Sequence, residues 1–264
     1  MPPAMSDTLT LTLYPHNIVW NDPSANRRHV EEVMSRMEAT DLFVVPETFT
    51  TGFGEQMAAY CEEPDGATLA WARRLAAQHQ CLFVASWIVR DGNATYNRLH
   101  WVLPDGSYGS YDKAHTFRPS GEHNVISCGR RRTTFTYRGW RIRPAVCYDL
   151  RFPQWLRNAA APDRNGLMDY DLLLVCANWP ASRRDAWNTL LRARAIENLC
   201  YVAGCNRTGT DGYGGHYSGD CAIVDYKGQP VAESGAETVC LRQTLEREPL
   251  VRFRQKWPFY LDFD

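Results

Sequence analysis

Cys147, Glu47 and Lys113 each stand at the end of a strand-like run, and together they could supply a nucleophile, a base and a cation. Cys147 closes the run "WRIRPAV" and opens "CYDLRFPQW". A free thiol titrates near about 8.5, so little of it is thiolate at neutral pH without a base or a positive neighbour. A helix start expected from about Phe152 would place N–H groups near the sulfur and favour the thiolate. Glu47 ends "LFVVPE", where a carboxylate directly after a buried run loses water and becomes a stronger base. Lys113 follows "YGSYDK", where an ammonium could hold an oxyanion and assist a nearby thiolate. Taken singly, these are a surface carboxylate, a solvated lysine and a small buried thiol. Taken together, they suggest covalent catalysis at a carbonyl-like carbon.

Three strand ends in one α/β domain commonly converge on one crevice. "LTLTLY" (Leu9–Tyr14) alternates with period two, and "DLFVVPE" (Asp41–Glu47), "LFVASWIV" (Leu82–Val89), "DLLLVCAN" (Asp171–Asn178) and "CYVAGCN" (Cys200–Asn206) read as further strands. Helical spacing runs through Ala25–Ala39, with Ser24 as N-cap, and through Ala67–Gln80 and Arg183–Asn198. Turns at Asp91-Gly92 and Pro104-Asp105-Gly106 predict hairpins, so the sheets should be mixed. The glycine-rich Thr208–Asp220 reads as a loop that could cover a site. Two further strands are expected within Cys221–Ser234. No linker or repeat divides the chain, which predicts one α/β domain over 1–264, with 251–264 as a C-terminal extension.

Composition narrows the function classes. Across 264 residues the formal net charge is -1, with 22% charged and 44% hydrophobic residues, which fits a globular protein with no electrostatic call for nucleic acid. Nine cysteines are scattered without a Cys-x-x-Cys pair, so no metal site or disulfide framework is expected and reduced thiols in the cytoplasm are the default. No secretory signal or membrane span of about 18–20 apolar residues is recognisable. Met5 as an alternative start would leave Met1–Ala4 dispensable.

"VVPETFTTGF" (Val44–Phe53), "YDKAHTF" (Tyr111–Phe117) and "AVCYDLRFP" (Ala145–Pro153) occur in order and resemble the three signature segments of the nitrilase superfamily, the carbon–nitrogen hydrolases. "ANWP" (Ala177–Pro180) and "RARAIEN" (Arg192–Asn198) extend the resemblance over nearly the whole chain. It implies a four-layer α-β-β-α sandwich that pairs through helices into a homodimer or a higher homo-oligomer and uses no cofactor. It also implies Cys147 as nucleophile, Glu47 as general base, and Lys113 with the backbone N–H of Tyr148 as oxyanion donors. Glu122 in "RPSGEHNVISCG" fits the second glutamate of the family; read alone, it is a loop carboxylate. Arg151 could be a substrate clamp, but the preferred reading is a structural residue that holds the turn after the nucleophile, through Asp149.

"PETFTTGF", "CYDLRFP", "ANWP" and "YVAGCNRTGTDG" together resemble the bacterial ω-amidase branch. That branch implies hydrolysis of the terminal amide of 2-oxo dicarboxylic acid monoamides, 2-oxoglutaramate and 2-oxosuccinamate. Other readings are a nitrilase, an N-carbamoyl amide hydrolase, or a non-catalytic binding protein on the same fold. A distal carboxylate needs a cationic cradle, for which Arg183, Arg184 and Arg207 are candidates. Phe49, Phe53 and Trp179 could wall the pocket or pack in the core.

Overall fold

Leu9, Leu11 and Leu13 alternate with threonines along β1 (Thr8–Leu13), and all three leucines are buried. With a period of two, a one-residue slip would turn every leucine outward, so the pattern pins the register. The computed structural model describes residues 6–159, 168–235 and 238–263; the reading of Met1–Ala4 lies outside them.

In β2 (Leu42–Val44) and β3 (Leu82–Asp91) both faces are apolar. Leu42, Val44, Leu82 and Val84 enter the central core, while Phe43 and Phe83 face the opposite way. Strands buried on both sides need cover on both sides. The outer cover comes from Val30 and Met34 of α1 (Pro23–Arg36) and from Leu69, Trp71 and Leu75 of α2 (Ala67–His79). β4 (Ala94–Val102) and β5 (Tyr108–Asp112) continue as a meander, and β14 (Leu241–Glu246) pairs with the far side of β1. The first sheet therefore runs β14-β1-β2-β3-β4-β5.

The second sheet is built alike. Its strands are β6 (Phe135–Tyr137), β7 (Trp140–Val146), β8 (Leu172–Ala177), β9 (Tyr201–Asn206), β12 (Ala222–Val224) and β13 (Pro230–Glu233). Their order is β13-β12-β9-β8-β7-β6. Parallel trios, β1-β2-β3 and β7-β8-β9, form the middle of each sheet, with antiparallel strands outside. In β8, Leu172, Leu174 and Cys176 face the first sheet, while Leu173 and Val175 meet Trp187, Leu191 and Ala195 of α4 (Arg184–Asn198). The layers are thus α-β-β-α with mixed sheets, as expected. The two halves repeat one architecture without a sequence repeat, because pairing order depends on pattern rather than residue identity.

Several local readings change. The N-cap of α1 is Asp22, whose carboxylate accepts the Ala25 N–H at 2.9 Å, and Pro23 fills the first helical position in place of Ser24 as cap. Thr208–Asp220 contains a hairpin, β10 (Thr208–Thr210) with β11 (His216–Ser218). The segment after Cys147 is a 3-10 turn over Cys147–Arg151, followed by the four-residue α3 (Pro153–Leu156). Residue 251 falls inside α5 (Arg247–Lys256), not at a boundary. That helix is anchored by buried Leu250 and by Arg254, which donates to Asp171 at 2.8 Å and to the Leu199 carbonyl at 2.8 Å. Among the described residues, no helix is long and apolar enough to cross a membrane.

Candidate active site

The parallel trios bring the ends of β2, β7 and β8 to one place, and the chain leaving each carries a polar group. β2 leads to Glu47, β7 to Cys147 and β8 to Asn178. Lys113 follows β5 at the edge of the first sheet. Glu47, Lys113, Cys147 and Asn178 line one pocket of about 430 Å³.

Glu47 and Lys113 are fully buried and Glu122 is 1% exposed. The Lys113 ammonium donates to Glu47 Oε1 at 2.9 Å and to both Glu122 oxygens at 3.0 and 2.9 Å. Burial alone would lower the lysine pKa, but Glu122 and Glu47 more than offset it and hold the pKa above its ordinary value. Burial raises the pKa of Glu122, opposed by Lys113 and reinforced by Glu47. The backbone N–H of Phe117 also donates to Glu122 at 2.5 Å, closing the 117–122 segment over the lysine.

Two further donors fix Glu47. Asn97 Nδ2 donates to Oε1 at 2.8 Å and the Asn178 backbone N–H donates to Oε2 at 2.9 Å. The Asn178 amide donates in turn to the Glu47 carbonyl and to Thr48 Oγ1. Sequence reasoning assigned no role to either asparagine. The detectable signal was a polar residue inside a strand otherwise apolar at its far end (Asn97), and a polar residue at the close of an apolar run (Asn178).

The Cys147 thiol lies 3.8 Å from the Asn178 carbonyl and is half-buried. Burial pushes its pKa well above that of an ordinary thiol, Glu47 pushes it further, and Lys113 pulls it back. This differs from the thiolate-favouring turn expected from sequence. The short 3-10 turn offers little helix dipole, while the facing carboxylate opposes a second negative charge. The resting group is a thiol whose proton faces a carboxylate. Cys147 (φ 45°) and Thr48 (φ 41°) both adopt left-handed backbone, at about 1–2 kcal/mol each for a residue with a Cβ. Strain on both sides of the thiol–carboxylate pair accompanies its tight positioning.

Of the other expected residues, Tyr148, Phe53, Trp179 and Arg183 line the same pocket. The Tyr148 N–H lies in the first turn of the 3-10 segment, where helix geometry provides no acceptor for it. The Phe53 ring sits 5.0 Å from the Lys113 ammonium. Gly52 makes the turn before it at φ 81°, where a Cβ would come within 2.7 Å of Trp20. Phe49 is instead core, packed on Trp71, Phe83 and Trp87. Arg184 is paired with Asp220, and Arg207 is buried behind Tyr217 with Nε and Nη2 on backbone carbonyls and Nη1 unpartnered among the described residues. Arg151 does not bond Asp149. It lies over the Trp179 ring at 4.9 Å and faces the pocket. Asp211, Tyr213 and Tyr217 of the 208–220 segment also line the pocket, as a covering role requires.

Similarity to known proteins follows the same lines. The family model described as Carbon-nitrogen hydrolase matches residues 10–246. The chain is 43% identical to "Omega-amidase YafV" of Yersinia enterocolitica, covering 97% of each. It is 31% identical to "2-oxoglutaramate amidase" of Bacillus subtilis (strain 168), covering 96% of each. The crystal structure of XC1258 from Xanthomonas campestris, described as a CN-hydrolase superfamily protein with an arsenic adduct in the active site, superposes with a TM-score of 0.95 at 42% identity, covering 98% of each chain. The chain belongs to the carbon-nitrogen hydrolase family.

Proposed function

We propose that residues 1–264 act as one amidohydrolase unit that cleaves the terminal amide of small 2-oxo dicarboxylic acid monoamides to the acid and ammonia, through a thioester on Cys147. The observation that carries the mechanism is the Glu47 carboxylate held between the Lys113 ammonium and the Cys147 thiol at the floor of a pocket. The similarity to ω-amidase and 2-oxoglutaramate amidase supports the substrate class.

The geometry supports the following course. As sulfur attacks the amide carbon, the thiol proton passes to Glu47, so charge never accumulates on sulfur alone. Negative charge moves to the amide oxygen, where the Lys113 ammonium and the Tyr148 N–H receive it. An oxyanion donor of this kind is worth about 3 kcal/mol. Collapse expels ammonia, which takes its proton from Glu47. Glu47 then removes a proton from water as the water attacks the thioester, the C–S bond breaks, Glu47 returns that proton to sulfur, and the acid departs. Glu122 stays on Lys113 throughout and keeps the lysine charged and aimed. Phe53 and Trp179 wall the substrate chain, and Arg183 takes its carboxylate.

The same reading makes the protein a cytoplasmic homodimer. Nine free cysteines suit a reducing compartment, and exposed Trp257, Phe259 and Leu261 offer apolar surface to a second subunit.

Ammonia release from 2-oxoglutaramate, measured beside a nitrile and an N-carbamoyl amino acid, tests the substrate class. Turnover of the oxo-amide in preference to the others is expected. Turnover of only a nitrile or a carbamoyl compound would overturn the reading.

A further inference from the structure

The pocket contains two arginines whose charges no described carboxylate neutralises. Arg151 and Arg183 are exposed, and neither forms an ion pair among the described residues, whereas the adjacent Arg184 is paired with Asp220. Each guanidinium lies over an aromatic ring, Arg151 over Trp179 at 4.9 Å and Arg183 over Phe117 at 5.3 Å. Trp179 also donates its indole N–H to the Arg183 carbonyl at 2.9 Å, so one buried side chain supports both residues. Stacking occupies the flat face of a guanidinium and leaves its edge donors free for a planar acceptor. Two such edges in the pocket that holds Cys147 suit a group with adjacent acceptors.

We infer that Arg151 and Arg183 form a fork that binds the 1-carboxylate and the 2-oxo oxygen of the substrate, and that this fork selects 2-oxo acid amides over the corresponding 2-amino acid amides. The inference rests on the proposed function and names the residues that set its specificity. A 2-oxo group presents an acceptor to a guanidinium edge. A 2-ammonium presents only donors and a like charge, so it leaves that edge unpaired and repelled. Besides Glu47, two carboxylates line the pocket. Asp211 is already engaged by the N–H groups of Tyr213 and Gly215 and the Tyr217 hydroxyl. Glu55 is exposed and has no side-chain hydrogen bond; it is the group that would hold an ammonium if amino acid amides were the preferred substrates.

The test is the ratio of kcat/KM for 2-oxoglutaramate to kcat/KM for valeramide, a neutral amide of the same chain length, in wild type, Arg151→Ala, Arg183→Ala and Arg184→Ala. In each of Arg151→Ala and Arg183→Ala the ratio should fall by about tenfold or more, as loss of a charged bidentate partner does. Arg184→Ala should keep the wild-type ratio. Protection of Cys147 from iodoacetamide by 2-oxoglutarate, read by intact mass, should weaken in the first two variants and persist in the third. Wild type should hydrolyse glutamine at least about tenfold less efficiently than 2-oxoglutaramate. Unchanged ratios, equal losses on both amides, or glutamine turned over as well as the oxo-amide would overturn the fork. If wild type hydrolyses valeramide but not 2-oxoglutaramate, the proposed substrate class fails and the fork fails with it. A fork that fails while wild type cleaves 2-oxoglutaramate leaves the proposed function standing.

Discussion

The Asp149 carboxylate binds His115 twice, accepting its backbone N–H at 2.9 Å and its Nδ1 at 2.8 Å through a single oxygen. Its other oxygen accepts the Tyr111 hydroxyl at 2.8 Å and the Val146 N–H at 3.1 Å. Asp149 lies two residues after Cys147 and His115 two residues after Lys113, so one fully buried carboxylate ties the Cys147 turn of the second sheet to the segment that leaves β5 of the first. The His115 ring is held by this carboxylate and stacks on Phe152 at 3.7 Å.

Asp149→Asn should separate the two sheets' catalytic groups without removing any of them. An amide cannot accept at both ends, so a donor is left facing the Val146 or the His115 N–H. A buried unsatisfied donor costs about 1–3 kcal/mol of stability. We expect a lower Tm and a fall in kcat of about tenfold or more with little change in KM, the pattern of lost alignment. A change confined to KM would contradict this role.

Glu47→Gln should separate thiol ionisation from catalysis. Glu47 is one of the groups that push the Cys147 pKa up. Removing its charge should move the pH midpoint of iodoacetamide labelling at Cys147 downward, while amide hydrolysis falls by about 10²-fold or more through loss of the base. A midpoint that stays in place or rises would show that the carboxylate does not face the thiol.

Acid stability should depend on two buried histidines. Burial lowers the pKa of His16 to about 4 and of His100 to about 3. Both folded values lie below the unfolded value of about 6.5, so the unfolded chain binds more protons between them. Their contribution is complete above about pH 6.5 and is lost as pH falls toward 4. His100 stacks on Trp87 at 3.8 Å; His100→Phe keeps a ring there and removes the titration. Denaturant melts from pH 7 to 4 should show a shallower loss of stability in His100→Phe than in wild type. Parallel curves would rule the histidine out.

Arg254→Met tests whether the C-terminal helix belongs to the fold. Asp171, which also accepts the Arg141 N–H at 3.1 Å, would lose the Arg254 half of a buried ion pair. Breaking such a pair from one side costs about 3–5 kcal/mol. Chemical denaturation should show a loss of that order, and a loss under about 1 kcal/mol would mark the helix as a loosely held appendage.

The sequence made the strands and the reactive residues legible for different reasons. Leucine alternation in β1 and the apolar runs of β2, β3, β8 and β9 are dictated by burial, which acts on each residue where it stands. Cys147, Glu47 and Lys113 stood out because strand ends in such sheets converge. The clamp on Glu47 was not legible, since Asn97 and Asn178 act only after β4 and β8, from different sheets, are brought together. The preferred reading of Arg151 failed for the same reason, while its reading as a clamp stayed open: Asp149, its near neighbour in sequence, has all its acceptor positions filled by Tyr111, His115 and Val146. The β10–β11 hairpin hid behind glycines whose turn chemistry outweighed two three-residue strands. The Cys147 pKa ran opposite to expectation because the local turn suggested a dipole, whereas the folded site supplies burial and a carboxylate.

The most direct test of the mechanism is intact-mass analysis of enzyme quenched with acid during turnover of 2-oxoglutaramate. Wild type should carry an adduct of one acyl group, lost on hydroxylamine treatment and mapped to Cys147, and Cys147→Ala should carry none and release no ammonia. Ammonia release by Cys147→Ala at the wild-type rate, or an adduct mapped to another residue, would contradict the assignment of Cys147 as nucleophile.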